Sequence, residues 1–384
     1  MYRDHFPQLE SPGVYLASHT LGPMPREAEA ALSQYTQTWK ARGVRAWAEG
    51  WWDLPRQVAR DLAPLLGVSP EGISFHPHTS GAVAAVLSSL DFSSGRNKIV
   101  TTELEFPSIG YQLRAWEKYG AQVVVLPAPE GCFPWEAVEN AVDNSTLLLA
   151  ACHAYFKSSE RIDAARLAAI AHRAGARLLL DVYQTAGVMP LELEAEGVDY
   201  VVGGGVKWLL SGPGIGYLWV RPTYWDELPH LVGWAGHARP FAFDLDWAPA
   251  DGAVRYHTGT PNIPVLLVAQ AGYRLLREVG LAKVWSHIRH LAGRFLQGAE
   301  ELGFRVVGPR NPASRSGTVI LDLPYGYAAE LNAQGFVCDW RTGAGVRMGL
   351  HFFTLESEVA QALEALAKIR DSKAWEAHQP GAVT

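Results

Sequence analysis

Lys207 is the first candidate for chemistry, because it stands alone between two uncharged stretches. It follows the apolar and glycine-rich segment YVVGGGV and precedes WLLSGPG. Apolar neighbours desolvate an amine and lower its pKa, which favours the neutral, nucleophilic form. The alternative is a surface lysine that extends its charge into water. The role of Lys207 therefore depends on the residues that accompany it.

Asp181 is the second candidate, and it ends the apolar segment ARLLLD upstream of Lys207. Ligands of open α/β sheets bind beyond the carboxyl ends of the strands, where a carboxylate can meet a cationic ligand nitrogen. The alternative is an aspartate that caps a turn or the next helix. Asp181 and Lys207 therefore have to be interpreted together.

A third segment, HPHTSGAVAAV, has the features of an anion site. Thr79, Ser80 and Gly81 stand at a turn that enters a helix. Free backbone N–H groups and the helix dipole favour an anion there, and beside Lys207 we interpret that anion as a phosphate; the alternative is an ordinary helix cap. His76 and His78 lie close by, but no further Cys/His cluster accompanies them, so no metal site is expected.

Apolar runs of strand length alternate with segments of helical spacing before residue 263. The strand-like runs are NKIVTTE, AQVVVLP, TLLLAAC and ARLLLD. The helical segments between them are GAVAAVLSSL, IGYQLRAWEKYG and IDAARLAAIAHRAG. This alternation predicts an α/β fold with a mostly parallel sheet that helices cover on both faces. Asp181 would then lie at the carboxyl end of a strand.

From Val265 the pattern changes to that of a smaller α+β domain. Two long helices are predicted, followed by short strands near FRVVG, GTVILDL, GFVCDW and GVRMG. Thr354 is predicted to cap a final helix that has Glu356 and Glu358 in its first turn. We expect an N-terminal arm at residues 1–30 that packs on the small domain, a large domain at 31–262 and the small domain at 263–384.

Composition narrows the classes of partner. The chain has 384 residues, of which 48% are hydrophobic, so two domains are expected. A net charge of −6 gives no basic footprint for nucleic acid or an anionic membrane, which favours a small-molecule partner. The N-terminal segment MYRDHFPQLE has no apolar signal core, and no apolar stretch approaches the roughly 20 residues that span a bilayer. Cys132, Cys152 and Cys338 lie far apart without CxxC spacing, which fits a reducing cytoplasm.

Asp181, Gln184 and Lys207 together carry a resemblance. The pattern Asp-x-x-Gln-x-x-Gly, followed by a lysine and a Gly-Pro-Gly turn, resembles the cofactor core of fold-type I enzymes that use pyridoxal 5′-phosphate (PLP), in their class V aminotransferase branch. The resemblance implies that Lys207 forms the Schiff base with PLP, that Asp181 pairs with the pyridinium nitrogen and that Gln184 contacts the ring hydroxyl. A protonated pyridine accepts electrons from a carbanion at the substrate α-carbon, which makes this set of residues chemically coherent.

Further segments are similar to the kynureninase branch of that family. The series GWAGH, PADG, RY and GTP resembles a kynureninase motif, which implies that Trp234 and Thr260 reach the PLP phosphate from the neighbouring subunit of a homodimer. In the same comparison Phe106 would stack on the cofactor ring and Cys152 would take a Ser/Thr position near the cofactor. Arg347 would bind the substrate α-carboxylate, a task suited to a guanidinium.

Three positions depart from the kynureninase pattern. Val206 stands where that branch has a tyrosine immediately before the lysine, Ile109 stands where it has an aspartate, and Gln184 replaces a histidine. Valine can neither hydrogen-bond the phosphate nor transfer a proton, as the tyrosine does. Gln184 is the choice of cysteine desulfurases and many class V aminotransferases. The resemblance therefore supports the use of PLP better than any particular reaction.

Three functions stay open. The first is a kynureninase-like hydrolase of tryptophan catabolism, which cleaves the Cβ–Cγ bond of kynurenine or 3-hydroxykynurenine to give anthranilate and alanine. The second is another class V activity, such as transamination, epimerisation or sulfur removal, although Cys338 in the apolar segment FVCDW is expected to be a buried, inert thiol. The third is a non-catalytic module, against which the retention of Asp181, Lys207 and Arg347 argues.

Three tryptophans near the N-terminus also admit two interpretations. Trp47, Trp51 and Trp52 lie in a segment that resembles the tryptophan-bearing arm of the family. They could shape an aromatic substrate pocket, or they could belong to the core or to the dimer interface, because tryptophan is readily buried.

Overall fold

The computed structural model of the chain describes residues 2–10 and 13–378. The helices of this part are α1 (Arg26–Arg42), α2 (Leu54–Leu66), α3 (Thr79–Ser89), α4 (Pro107–Ala115), α5 (Trp135–Ala141), α6 (Ala164–Arg173), α7 (Ile263–Val279), α8 (Leu281–Glu301), α9 (Tyr325–Ala333) and α10 (Glu356–Ser372). The strands are β1 (Val14–Tyr15), β2 (Ile73–His76), β3 (Lys98–Thr102), β4 (Gln122–Leu126), β5 (Thr146–Cys152), β6 (Arg177–Asp181), β7 (Tyr200–Gly204), β8 (Gly216–Val220), β9 (Thr318–Leu321), β10 (Phe336–Val337), β11 (Asp339–Arg341) and β12 (Gly345–Gly349).

A seven-stranded sheet forms the centre of the fold. Its strand order is β2-β8-β7-β6-β5-β3-β4, and β8 runs antiparallel to both of its neighbours while the other pairs are parallel. Strands β5, β6 and β7 are buried along nearly their whole length. Their sequences are continuous apolar runs because both faces of this part of the sheet are covered. The prediction of an α/β fold with a mostly parallel sheet is confirmed.

Helix α6 shows how the sequence builds the covering layer. Asp163 precedes the helix, and its carboxylate accepts a hydrogen bond from the Arg166 backbone N–H at 3.0 Å. Such a cap satisfies one of the N–H groups that the first turn leaves free. Leu167, Ile170 and Ala171 are buried at helical spacing and pack in the large core. A one-sided apolar helix therefore follows β5 and leads back to the parallel strand β6.

A second sheet belongs to the C-terminal part, where β9, β12 and β11 are antiparallel. Two predictions for this part are wrong in detail. The segment FRVVG forms only a single bridge, between Val306 and Leu321, and no strand. Thr354 is not the cap of α10, because the helix begins one residue later and Leu355 takes the cap position; the Thr354 hydroxyl instead accepts a hydrogen bond from the His351 N–H.

Helix α7 packs against α1 and α2 and contributes to the same core as the large sheet. The N-terminal segment pairs with the C-terminal part, because β1 and β10 form a two-stranded parallel sheet. The domain boundaries at residues 31 and 263 stay predictions. Among the described residues, no helix combines the length and the apolar character needed to cross a bilayer.

Candidate active site

Lys207 lies in the turn that follows β7, and its side chain lines a cavity at the carboxyl ends of β5 and β6. Gly204 permits this arrangement, because a Cβ at that position would come within 2.4 Å of the Tyr183 ring. The N-terminal segment packs on the other side of the turn, where the Gly22 N–H donates to the Val206 carbonyl at 2.9 Å. The glycines thus allow an aromatic ring and a distant chain segment to pack directly on the turn that carries the lysine.

The Lys207 amine lies between two aromatic rings. Its Nζ atom is 4.3 Å from the centre of the Tyr183 ring and 5.9 Å from the centre of the Phe106 ring. Burial lowers the pKa of Lys207, and the charge of Asp181 opposes that shift. The side chain is half-buried, so a ligand in the cavity can reach it. The residue therefore has the accessibility and the lowered pKa that a nucleophilic amine requires.

Asp181 is buried at the end of β6, directly opposite Cys152 at the end of β5. Its Oδ1 atom accepts the backbone N–H of Tyr183 at 2.8 Å, and the Cys152 thiol lies 3.9 Å from Oδ2. Burial raises the pKa of Asp181, while the Tyr183 N–H and the Lys207 charge lower it. A cationic ligand nitrogen in the cavity would offset the cost of keeping this carboxylate ionised.

Glu105 is a buried acid beside the site that the sequence analysis missed. Its Oε1 atom accepts hydrogen bonds from the Cys152 N–H at 3.2 Å and the Tyr155 hydroxyl at 3.3 Å, while Oε2 has no partner. Burial and the nearby charge of Asp181 raise the pKa of Glu105 to about 8. The sequence signal for Glu105 was its position immediately before Phe106, which lines the cavity. That signal is weak, because glutamate is normally a surface residue.

The predicted anion site is only partly free. Thr79 and Ser80 line the cavity at the N-terminus of α3, and the Thr79 hydroxyl is buried without a hydrogen-bond partner. The Gly81 N–H is already bonded, because the His78 ring nitrogen Nδ1 accepts it at 3.0 Å. Gly81 does not line the cavity. The candidate phosphate site therefore consists of the Thr79 and Ser80 side chains and the first N–H groups of α3. His78 caps the helix.

Phe106 and Gln184 form the remaining predicted walls. The Phe106 ring is 45% exposed and packs edge-on against Phe156, with 5.3 Å between the ring centres. The Gln184 Oε1 atom accepts the Trp208 indole N–H at 2.8 Å, which orients the amide so that Nε2 can donate. The cavity measures about 220 Å³. The predicted residues that line it are Thr79, Ser80, Phe106, Cys152, Asp181, Gln184 and Lys207.

Trp234 and Thr260 do not line this cavity. The Trp234 ring packs against Trp52, with 5.4 Å between ring centres, and Thr260 lines a different cavity beside His257. Their contribution from a neighbouring subunit stays a prediction. Trp47, Trp51 and Trp52 pack on one another, and none of them lines the cavity either.

Arg347 also lies outside the cavity wall. Its side chain is 5% exposed, and both Nε and one terminal nitrogen donate to the Asp339 carboxylate. The sequence gives no signal for Asp339, because nothing local indicates which arginine an aspartate contacts across a sheet. The role of Arg347 toward a substrate stays a prediction.

The site fits PLP on the evidence of its own groups. The unpartnered Thr79 hydroxyl at a helix N-terminus suits a phosphate, the buried Asp181 carboxylate suits a protonated ring nitrogen, and the accessible Lys207 amine suits a covalent bond to the aldehyde. An α/β fold with these groups at the carboxyl ends of its strands defines the class: an enzyme of the PLP-dependent fold-type I group.

The comparison with protein families identifies the branch. Residues 14–369 match the family described as aminotransferase class-V, and the chain belongs to that family. PLP is the cofactor that this membership and the groups of the cavity assign to the chain.

Curated relatives cover nearly the whole chain. An uncharacterized aminotransferase, YcbU, of Bacillus subtilis is 28% identical over 368 residues, which are 95% of this chain and 96% of that protein. The kynureninase of Pseudomonas fluorescens is 29% identical over 381 residues, or 94% of this chain and 90% of the relative. The kynureninase of Deinococcus radiodurans is also 29% identical, over 95% of this chain and 92% of its own length.

Solved structures share the fold. The apo cysteine desulfurase of Thermococcus onnurineus superposes with a TM-score of 0.87 at 24% identity, over 97% of this chain and 98% of the other. A mutant of C-DES with glycine covalently linked to its PLP cofactor superposes with a TM-score of 0.86 at 22% identity, over 95% and 98% of the two chains. Similarity at this identity concerns the fold alone.

Proposed function

We propose that the protein is a PLP-dependent enzyme that acts on an amino acid, with Lys207 as the residue that bonds covalently to the cofactor and Asp181 as the partner of its ring nitrogen. The observation that carries the proposal is the meeting of a half-buried lysine amine and a buried carboxylate in one cavity of a class V chain. Thr79 and Ser80 would hold the phosphate, Phe106 would stack on the ring, and Gln184 would donate to the ring hydroxyl.

The chain's own groups divide the work around the substrate. When bound, PLP supplies an electron sink for negative charge at the substrate α-carbon. Lys207 removes the α-proton, a task that suits an amine whose pKa burial has lowered. Asp181 would stabilise a positive charge at the ring nitrogen, and Cys152 contacts that carboxylate from the neighbouring strand. The Phe106 and Phe156 rings form one apolar side of the cavity.

The reaction we propose is a kynureninase-like hydrolysis of the Cβ–Cγ bond of kynurenine or 3-hydroxykynurenine, which would place the enzyme in tryptophan catabolism. Kynureninases are among its curated relatives over nearly the full chain. The cavity walls supplied by Phe106, Phe156 and Ile109 are apolar, which suits an aromatic side chain.

Transamination is the second candidate, because an uncharacterized aminotransferase is among the relatives over nearly the full chain and Val206 departs from the kynureninase pattern. That residue precedes Lys207 and has no polar group that could bond a phosphate or move a proton. Sulfur transfer to a protein thiol is less favoured. Cys338 is buried, and burial raises its pKa to about 12; Cys152 is buried as well, and the exposed Cys132 does not line the cavity.

The proposal includes a homodimer in the cytoplasm. The segment around residues 231–245 exposes Leu231, Trp234, Phe241, Phe243 and Leu245, a concentration of apolar side chains that suits a subunit interface. Trp234 lies within this surface, so its predicted contact with a phosphate would have to be made to the partner's cofactor. The three free cysteines favour a reducing compartment.

Product analysis tests the proposal. The purified protein with bound PLP is incubated with kynurenine and separately with 3-hydroxykynurenine, and the products are identified by mass spectrometry. Anthranilate or its hydroxy derivative together with alanine is the expected result, and Lys207→Ala should abolish both the product and the visible absorbance band of covalently bound PLP. A keto acid with pyridoxamine phosphate would instead support transamination, and a wild-type protein that never acquires the band would refute PLP use.

A further inference from the structure

Asp339 and Arg347 form a two-point ion pair beside the site. They lie directly opposite each other on the antiparallel strands β11 and β12. The Arg347 Nε atom donates to Asp339 Oδ1 at 2.8 Å, and Nη2 donates to Oδ2 at 2.7 Å. The carboxylate thus covers one complete edge of the guanidinium, which is the strongest geometry available to such a pair.

Asp339 is itself held by the N-terminal segment. The Thr20 hydroxyl donates to Oδ2 at 2.6 Å, and the His19 Nε2 atom lies 3.0 Å from Oδ1. Burial lowers the pKa of His19 to about 4, so the ring is neutral and donates through Nε2. Burial opposes ionisation of Asp339, but hydrogen bonds from His19 and Arg347 hold its pKa well below the usual range. Arg341 Nη2 lies a further 3.3 Å from Oδ2. The carboxylate is therefore charged and held by four side chains.

The remaining edge of Arg347 faces the cavity wall. Its Nη1 atom donates to the Phe156 carbonyl at 3.1 Å, and Phe156 lines the cavity. A guanidinium has five N–H groups. Two are taken by Asp339, one by Phe156, and Nη2 also contacts the Thr20 hydroxyl at 3.4 Å. The second Nη1 N–H has no partner among the described residues.

We propose that Asp339 is a positioning residue of the substrate-carboxylate subsite: by covering the Nε/Nη2 edge, it presents the Nη1 end of Arg347 to the carboxylate of the amino acid. The inference rests on the proposed function of the site. If the inference holds, discrimination between an amino acid and a simple amine depends on Asp339. Because Arg347 offers one free N–H, a small rotation of its guanidinium removes the contact, and Asp339 prevents that rotation.

The test compares two ligands that differ only in the carboxylate. L-Alanine and ethylamine are titrated against the protein with bound PLP, and the change in cofactor absorbance gives the two dissociation constants. Wild type should prefer L-alanine. Asp339→Asn should reduce that preference by about tenfold or more, by analogy with the loss seen when groups that orient metal ligands are removed, while the ethylamine constant changes less than about twofold.

The control is Asp371→Asn, which removes an exposed aspartate from its 2.8 Å pair with Arg370 in the same part of the fold. It should leave both constants unchanged. Thr20→Val is the second variant, because it removes one hydrogen bond to Asp339 but keeps the charges of Asp339 and Arg347. It should lower the preference for L-alanine several-fold. Denaturant unfolding of each apoprotein shows whether Asp339→Asn folds poorly, and Thr20→Val tests the proposal in that case.

The outcomes separate the two proposals. If wild type responds to both amines but Asp339→Asn and Thr20→Val retain its preference for L-alanine, the positioning role is refuted and the proposed function stands. If Asp339→Asn binds L-alanine more tightly, Asp339 competes with the ligand, which also refutes the role. If wild type shows no cofactor absorbance, both proposals fail together.

Discussion

The Nζ atom of Lys207 lies 4.3 Å from the centre of the Tyr183 ring. This contact exists because Gly204 has no side chain to separate the ring from the strand that leads to the lysine. The ring face stabilises the ammonium form, so it works against the pKa decrease that burial causes.

Replacing the ring should therefore make the amine more reactive. Tyr183→Leu removes a cation–π contact of about 0.5–1 kcal/mol, which corresponds to a two- to fivefold larger neutral fraction. The expected result is a two- to fivefold faster attachment of PLP to the apoprotein near pH 7, measured by stopped-flow absorbance. Tyr183→Phe is the matched control and should attach PLP at the wild-type rate. A slower rate in Tyr183→Leu would show that the ring orients the lysine and does not tune it.

Asp181→Asn tests the carboxylate at the ring nitrogen. The variant keeps the shape of the side chain but removes its charge, so the stabilisation of a protonated ring nitrogen is lost. Exchange of the α-proton of L-alanine in deuterated water, followed by NMR, should slow about a hundredfold or more, within the range for a group that assists proton transfer. Exchange at the wild-type rate would exclude Asp181 as the partner of the ring nitrogen.

The cofactor phosphate should depend on Thr79. Its buried hydroxyl has no partner in the protein, and a hydrogen bond to a charged group contributes about 1.5–3 kcal/mol. Thr79→Val should weaken PLP binding to the apoprotein about ten- to hundredfold, as measured by quenching of tryptophan fluorescence.

Gly81→Ala is the control for that measurement. A Cβ at Gly81 would lie 3.5 Å from the His78 ring, an ordinary contact, and the position is inside α3. The change should leave PLP affinity within about threefold of wild type and stabilise the helix slightly. If Thr79→Val and Gly81→Ala bind PLP with equal affinity, Thr79 does not contribute to the phosphate site.

Glu105 should make the protein less stable as the pH rises. Its folded pKa is raised to about 8, mainly by burial, whereas the unfolded carboxyl has an ordinary pKa of about 4.3. Between these values the folded state binds a proton that the unfolded state has lost, so stability falls as the pH increases and the loss is complete above about pH 8. Glu105→Gln cannot ionise and should remove this loss.

The measurement is the free energy of unfolding of the apoprotein in urea at pH 5 and pH 9. Wild type should lose of order 2–4 kcal/mol more than Glu105→Gln over that interval. Glu364→Gln, which removes an exposed glutamate paired with Lys368, is the control and should follow wild type. Parallel pH profiles of wild type and Glu105→Gln would mean that Glu105 ionises freely in the folded protein.

Much of the fold was predictable because its signals are local. The runs KIVTT, QVVVL, TLLLAAC and RLLLD are all strands of the parallel sheet. TLLLAAC and RLLLD are rich in apolar residues because both of their faces are buried, whereas QVVVL lies at the edge of the sheet and is only partly buried. Asp181 closes one of these runs, so its place at a strand end followed directly. The helix that begins at Thr79 was likewise predictable from the turn that precedes it.

Details set by single side chains were less predictable. The His78 ring caps α3 and accepts the Gly81 N–H, which the sequence predicts to be free for an anion. Thr354 was expected to cap α10, but the helix begins one residue further on. At α3 the His78 ring competes with an anion for the same backbone N–H. At α10 the Leu355 side chain has no acceptor, and the N-terminus of the helix is stabilised instead by the Glu358 carboxylate, which accepts the Leu355 N–H at 2.7 Å.

The sequence by itself determined the class of chemistry, because its two main features are local. Each short segment shows one of them: an acid at the end of an apolar strand, and a lysine after a run of glycines. Only the tertiary structure decided which groups surround them. His19 and Thr20 meet Asp339, which in turn fixes Arg347, and Glu105 becomes buried behind Cys152. Residues some 320 positions apart come into contact only when the N-terminal segment packs on the C-terminal sheet. No local pattern specifies such a contact, because its free energy arises from burial and hydrogen bonds that exist only in the folded chain.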